Sequence, residues 1–231
     1  MDTGNDYRIL IVEDAIKRIM EPLRMKRFKF QFRFYREAIQ LLEHSSHTLL
    51  QTIKYCYLEP DAIVEMPEFK EFYENTSKIE KMITEEKNAV IYKPDNPKDL
   101  LMMKEIEYVL SIFRDFPRRI QLPPQAGNAL DTFSVQVTRV EKHPEFDKLY
   151  ICRTTDKKQI WNIVTNIPDV KKDAHYPVVH LPPTIFGSVV SEAMFVSDTT
   201  IMDEAGTLLK LSGPLLNAVN SQVFALLKKS H

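Results

Sequence analysis

Glycine is unevenly distributed along this chain of 231 residues, and the distribution restricts the folds open to it. The chain has five glycines, and none of them lies between residues 5 and 126. The stretch 117–128 then contains three prolines and a glycine without apolar periodicity. Proline fixes φ and removes a backbone donor, so neither a helix nor a strand continues through such a stretch. We therefore predict two domains, 1–124 and 125–231.

Composition and charge exclude several classes of protein. The chain is 44% hydrophobic and 27% charged, which is typical of globular proteins and not of disordered ones. No apolar run approaches the roughly 20 residues of a membrane helix, and the polar start lacks the pattern of a secretory signal. Two distant cysteines, Cys56 and Cys152, make no disulfide framework and favour a cytoplasmic location. The net charge of −1 indicates no general attraction to nucleic acids.

After the boundary, the sequence alternates between apolar and polar residues in short runs, which predicts strands. These runs are 132–140, 149–152, 160–164 and 177–181. Short strands at this spacing are typical of a small barrel or sandwich. Ser212-Gly213-Pro214 then precedes apolar residues at helical spacing, which predicts a C-terminal helix.

Before the boundary, two interpretations compete. In the first, short strands alternate with helices, which predicts an α/β domain with a parallel sheet. The four predicted strands are 8–12, 28–34, 62–64 and 89–92. In the second, apolar residues from Phe28 to Ile53 form one helical stripe, and the domain is all-helical. The absence of glycine favours helices, the strict alternation of phenylalanines favours the sheet, and we prefer the sheet.

Four motifs of the second domain occur in the order of a known family. They are Val135-x-Val137-x-x-Val140-x-x-His143-Pro144-x-x-Asp147-Lys148-Leu149, Ile163-Val164-Thr165-Asn166, Val178-Val179-His180-Leu181-Pro182-Pro183 and Ser191-Glu192-Ala193-Met194-Phe195. Together they resemble the tRNA-binding OB-fold domain over residues 131–198. That domain occurs as a free-standing dimeric tRNA-binding protein, as an appendix of methionyl- and phenylalanyl-tRNA synthetases, and in synthetase-associated cofactors.

This chain departs from the family at several positions. Relatives have glycine at Ala193, asparagine at His180 and lysine at Pro182, and they have Arg-Gly at Gly187-Ser188. Residues 131–231 contain 11 basic and 11 acidic residues, so the domain is neutral. Because RNA binding depends on neutralising phosphates, a neutral domain is expected to bind RNA weakly.

The first domain resembles two-component receiver domains more faintly. Residues 8–14, 60–67 and 92–94 look like their first strand with its acidic pair, their phosphoacceptor strand and their lysine-proline loop. However, Glu65 stands where the phosphorylated aspartate belongs, and the span from 66 to 94 is too short for a complete receiver. The resemblance implies a degenerate α/β domain without phosphotransfer. Glu13, Asp14 and Glu65 would form an Mg²⁺ pocket in such a fold, although separate surface carboxylates are the simpler interpretation.

Three further features have a structural and a functional interpretation. His143 has no recognisable nucleophile partner, which argues against catalysis, and the family resemblance implies a turn-forming role for His143-Pro144. His44 and His47 lie three residues apart on a predicted helix, but nothing completes a metal site. The segment 26–36 combines cations with phenylalanines, as single-strand RNA binders do, yet exposed phenylalanines would aggregate. We expect its aromatic residues to fill the core.

These observations predict an α+β protein of two domains that binds tRNA or structured RNA without catalysis, cofactor or metal. The predicted RNA-binding residues are Arg139, Lys142, Lys148, Arg153, Asn166, Ser191, Glu192 and Met194. The basic residues would supply charge, and a turn at 191–194 would supply local contacts. The alternative is a scaffold of the aminoacyl-tRNA synthetase machinery that has lost RNA binding. We also expect a homodimer, an aminoacyl-tRNA synthetase as a partner, and no association with membranes.

Overall fold

The computed structural model describes residues 3–27, 32–54, 56–89, 94 and 96–229. Helices come first, five antiparallel strands follow, and a helix ends the described chain. The prediction of an α+β protein is therefore confirmed. By contacts, the chain divides into two compact units. The first unit comprises 1–93, 109–129 and 227–231, and the second comprises 94–108 and 130–226.

The described residues before position 124 form six α-helices. They are α1 (Tyr7–Arg24), α2 (Phe32–Ile53), α3 (Pro60–Glu65), α4 (Pro67–Ala89), α5 (Pro97–Arg114) and α6 (Phe116–Arg119). The described residues of this region contain no strand. The prediction of a receiver-like α/β domain is therefore wrong, and the all-helical alternative is confirmed.

The apolar run 8–12 misled the prediction because it is buried almost entirely and lacks a polar face. It forms the first turns of α1, where the Asp6 side chain accepts the backbone N–H of Arg8 and caps the helix. Residues 62–64 lie in the short helix α3. Residues 28–31 and 90–92 lie outside the described part of the chain, whereas Phe34 and Tyr35 are buried in α2.

In the first unit, helix α2 packs against α1 and α4. The rings of Phe72 and Phe113 meet edge to face at 5.3 Å. Arg8, which is 2% exposed, pairs with Asp6 and donates hydrogen bonds to the carbonyl oxygens of Ile120 and Leu122. This buried guanidinium ties the start of α1 to the proline-containing stretch at 117–128.

The second unit contains a five-stranded antiparallel sheet in the order β3-β2-β1-β4-β5. Its strands are β1 (Thr132–Lys142), β2 (Tyr150–Thr155), β3 (Ile160–Thr165), β4 (His175–Phe186) and β5 (Val189–Phe195). The four strands predicted from alternation are confirmed, and so is the C-terminal helix, α7 (Gly213–Lys229).

The two outer strands of the sheet, β3 and β5, also contact one another. Two side chains of β5 join them, because Ser191 Oγ accepts the N–H of Val164 and Glu192 Oε1 accepts the N–H of Asn162. The alternating apolar residues of the strands face inwards and form one core. No helix within the described residues is both long and apolar enough to cross a membrane.

Candidate nucleic-acid interface

Two arginines lie side by side on the outer face of strands β1 and β2. A bulge between Val137 and Arg139 shifts the register so that Arg139 is the direct cross-strand partner of Arg153. Both side chains are exposed. The guanidinium of Arg139 pairs with the carboxylate of Glu141, whereas Arg153 has no ion pair with a described residue. Like charges directly opposite each other destabilise a sheet, and a bound anion removes that repulsion.

The same row continues onto the third strand. Asn162 on β3 is the register partner of Arg153, so a side-chain amide follows the two guanidinium groups. The row therefore presents cationic donors and then a neutral donor and acceptor along one face. This arrangement suits a phosphate backbone and the polar edge of a nucleotide.

Two lysines lie at one end of this face. Lys142 ends β1 opposite Tyr150, and Lys148 lies in the connection 143–149, and both are exposed. Asn166 comes directly after Thr165, which is itself the register partner of Tyr150, so Asn166 lies at the same end. Five of the eight predicted residues therefore lie close together in the sheet formed by β1, β2 and β3. Two of them are in the row across β1 and β2, and three are at one end of these strands: Arg139 and Arg153, then Lys142, Lys148 and Asn166.

His143 shapes the connection 143–149. Its ring is buried, Nδ1 accepts the N–H of Glu145 at 3.1 Å, and Nε2 lies 3.1 Å from the carbonyl oxygen of Phe186. A carbonyl only accepts, so Nε2 carries the proton and Nδ1 is the acceptor. The turn-forming interpretation of His143 is supported because both ring nitrogens are engaged by backbone groups.

Glu145 joins the same connection to the turn between β4 and β5. Its carboxylate accepts hydrogen bonds from Ser188, which lower the pKa of Glu145 below its usual value. Gly187 has a φ of +55°, and a Cβ there would lie 2.4 Å from the Glu145 carboxyl group. A side chain at 187 would therefore be strained at this φ and would displace the Glu145 carboxyl group from Ser188.

The segment 191–194 lies within strand β5, so the prediction of a turn there is wrong. Its polar residues are Ser191 and Glu192. These side chains, rather than backbone groups, form the hydrogen bonds from β5 to β3. Ser191 Oγ accepts the Val164 N–H at 3.0 Å and donates to the Ala193 carbonyl at 3.1 Å. Ser191 is 7% exposed, and Met194 is half-buried.

Glu192 is also buried, and its carboxylate is fully engaged. It accepts the Asn162 N–H at 3.3 Å and forms an ion pair with Lys104 of helix α5 at 2.8 Å. Glu107 lies 3.0 Å from the same ammonium group. Burial alone would lower the pKa of Lys104, but its hydrogen bond to Glu192 and the charges of Glu107 and Glu192 raise it.

Sequence reasoning missed Lys104 and the aromatic residues beside it. The Tyr108 ring meets His180 edge to face at 5.1 Å, and His180 meets Trp161 at 4.9 Å. The only available signal was that relatives carry asparagine where this chain has His180. Nothing in the local sequence of α5 connects it with strands that follow much later in the chain.

The residues considered for metal binding do not come together in the structure. Glu13 pairs with Lys17 and Lys54, Asp14 with Arg18, and Glu65 with Lys70. Among the residues that the structure describes, no three acidic, histidine or cysteine side chains form a metal site. His44 and His47 are exposed on α2. Each of the three carboxylates has its own cation, so they do not form a shared Mg²⁺ pocket.

Comparison with known families yields two matches. Residues 1–123 match the family model described as "Alpha helical domain", which is more than half of the chain. Residues 134–218 match the one described as "Putative tRNA binding domain". No curated protein matches the chain. The second match includes all eight residues predicted to bind RNA and confirms the resemblance to the tRNA-binding family.

Proposed function

We propose that this chain, which belongs to the alpha helical domain family and carries a tRNA-binding type of domain, binds tRNA or structured RNA without catalysis. The paired exposed guanidinium groups of Arg139 and Arg153 carry this proposal. They lie within the residues that match the tRNA binding domain. We infer further that the sheet is an OB-fold barrel, in which the face of strands 2 and 3 binds nucleic acids.

The geometry supports contacts with the RNA backbone. Arg139, Arg153, Lys142 and Lys148 would neutralise phosphates, and Asn166 would bond a base or a ribose. The connection 143–149 and the turn at 187–188 meet through Glu145, and in OB-folds the corresponding loops contribute to binding. Since the domain has equal numbers of acidic and basic residues, we expect weak, salt-dependent binding.

Ser191, Glu192 and Met194 remain part of the proposed site as a second set of contacts. Ser191 and Glu192 are buried in the structure. They therefore require a conformational change before an RNA strand reaches them, whereas the four cations are exposed already.

The test measures the affinity of the full chain for bulk tRNA over a series of salt concentrations. We expect affinity to fall with salt, because bound counterions are released from RNA as phosphates are neutralised. The double variant Lys142→Ala and Lys148→Ala should reduce both the affinity and the salt slope. A matched control replaces Lys171 and Lys172, two exposed lysines on a different connection. Equal effects of the two pairs would refute the site assignment, and no binding at low salt would refute the function.

A scaffolding role is the second candidate, and the neutral charge of residues 131–231 favours it. In this alternative, the domain has lost RNA binding and the chain docks to an aminoacyl-tRNA synthetase. The homodimer, the cytoplasmic location and the boundary near residue 125 stay predictions under either candidate. If a synthetase co-purifies with the chain and the chain does not bind tRNA, the scaffolding role is favoured.

A further inference from the structure

The first part of helix α5, residues 97–108, lies in the same compact unit as the sheet. Two of its side chains reach strands β4 and β5, and β5 carries the predicted contacts Ser191–Met194. Lys104 pairs with Glu192 of β5, and the Tyr108 ring contacts His180 of β4. These two residues are four apart, so they project from one face of the helix. The sequence alone attributed Glu192 to RNA binding, but in this structure a helix engages it.

The contact with Lys104 removes Glu192 from solvent. The side chain of Glu192 is only 8% exposed, and that of Lys104 is 26% exposed. Of the two carboxylate oxygens, Oε1 accepts the Asn162 N–H and Oε2 pairs with Lys104. A nucleotide that used this carboxylate as an acceptor would have to displace the ammonium group first.

The charge at this position also differs from that of the neighbouring row. Asn162, whose N–H bonds Glu192, is the register partner of Arg153, so the helix contact adjoins the row of cations. Lys104 lies between two carboxylates, those of Glu192 and Glu107, which leaves this cluster with a net negative charge. A phosphate backbone following the arginines would therefore be repelled where α5 meets β5.

We propose that residues 97–108 form an intramolecular cover that competes with RNA for Glu192 of β5. This inference rests on the proposed RNA-binding function and adds its regulation. With the cover in place, RNA contacts only the exposed cations of β1, β2 and the connection 143–149. When the cover leaves, the carboxylate of Glu192 loses its ammonium partner and becomes available as an acceptor for RNA, and the affinity increases.

The direct test is hydrogen exchange of the full-length wild-type chain with and without tRNA. We expect tRNA to increase deuterium uptake in residues 97–108 and to decrease it in residues 189–195. Unchanged or decreased uptake in 97–108 at saturating tRNA would overturn the proposal, because the helix would then remain in place while RNA is bound. This experiment needs no substitution, so it does not depend on a variant that folds.

A second test weakens the cover by Lys104→Met and compares it with Lys98→Met. Lys98 is an exposed lysine of the same helix, so both variants lose one positive charge. Because apparent affinity scales with the fraction of the competent state, we expect Lys104→Met to bind tRNA about threefold to tenfold more tightly than Lys98→Met. Equal or weaker binding would overturn the cover, and Lys104→Arg should restore wild-type affinity.

The failure of the cover and the failure of the proposed function give different results. If no form of the chain binds tRNA, the function is refuted and the cover has no RNA to exclude. The emission of Trp161, the only tryptophan, reports the helix contact independently through His180. We expect Lys104→Met to change this emission without RNA, and unaltered emission would show that Lys104 does not hold the helix.

Discussion

One oxygen of Glu145 accepts two hydrogen bonds from Ser188, one from the backbone N–H and one from the hydroxyl group, each at 2.8 Å. The two residues lie on different connections, 143–149 and 187–188. Their contact therefore determines how the loop that carries Lys148 is placed beside the turn after β4. The carboxylate is the only charged member of this contact, which makes the contact sensitive to acid.

The Glu145 contact predicts a loss of stability in acid. The pKa of Glu145 is lowered in the folded chain by the hydrogen bonds from the Ser188 hydroxyl and N–H. The unfolded chain, with the usual pKa of 4.5, therefore binds this proton more tightly. The stabilisation is complete above pH 4.5 and is lost as the pH falls through the folded pKa.

Thermal unfolding between pH 3 and 7 checks this prediction. The midpoint of Glu145→Gln should fall less steeply with acid than that of the wild type. Asp147→Asn is the matched control, because Asp147 is exposed on the same connection and makes no hydrogen bond to a described residue. Parallel curves for the wild type and Glu145→Gln would contradict the prediction.

The pairing of Arg139 with Arg153 predicts opposite effects on binding and on stability. Arg153→Gln should weaken tRNA binding uniformly across sequences and reduce the salt slope by about 1, as for the loss of one phosphate contact. The same change removes like-charge repulsion across the strands, so the melting temperature should be unchanged or slightly higher at low salt. A lower melting temperature with unchanged affinity would assign Arg153 a structural role instead. Lys210→Gln, at an exposed lysine outside the strand pair, controls for general loss of charge.

The hydroxyl group of Ser191 predicts a structural cost that is independent of RNA. Ser191→Ala leaves the buried N–H of Val164 without its acceptor, and an unsatisfied buried donor costs about 1–3 kcal/mol. Urea unfolding should show this loss in the absence of any RNA. The comparison is Ser188→Ala, whose hydroxyl is exposed and should cost less. Equal costs would show that the Ser191 bond does not join β3 to β5.

The buried ion pair of the helical unit predicts a larger loss of stability. Arg8→Ala leaves the Asp6 carboxylate buried without its cation, and breaking such a pair costs about 3–5 kcal/mol. The double variant Asp6→Asn and Arg8→Met removes both charges and should recover part of this loss. Chemical denaturation of the wild type, the single variant and the double variant measures their free energies of unfolding. A single variant as stable as the double would contradict the ion-pair interpretation.

Selective labelling of the two cysteines follows from their burial. Burial raises the pKa of the Cys152 thiol to about 12, so at pH 8 only about one molecule in ten thousand carries the reactive thiolate. Cys56 is half-buried on the helical side. Iodoacetamide should label Cys56 before Cys152 in the folded chain and both cysteines in urea. Peptide mass spectrometry after a time course distinguishes the two sites.

The strands of the second unit could be predicted from the sequence because one face of each is buried and the other is not. That asymmetry produces the alternation at 132–140 and 160–164, and it also produces the apolar spacing of the last helix. The run 8–12 failed as a strand for the opposite reason. It is buried almost entirely within α1, so its apolar and polar residues do not alternate. Without alternation, the spacing of apolar residues cannot distinguish a helix from a strand.

For the candidate site too, some features could be predicted from the sequence and others could not. The residue types for RNA binding and their motifs could be recognised in order along the chain, and the family match confirms the resemblance. The adjacency of Arg139 and Arg153 could not, because the bulge after Val137 determines the register. The strand at 191–194 could not be predicted either, because its serine and glutamate bond to β3, a strand that is distant in sequence.

By itself the sequence predicted a two-part chain, in which residues 5–126 lack glycine and the second part alternates in period two. Those properties depend on neighbours within a few residues, so they are visible without a structure. Only the tertiary structure decided that Glu192 pairs with Lys104 and that Glu145 meets Ser188. The physical reason is that such pairs depend on sheet closure and loop placement, to which the whole fold contributes and which no local pattern encodes.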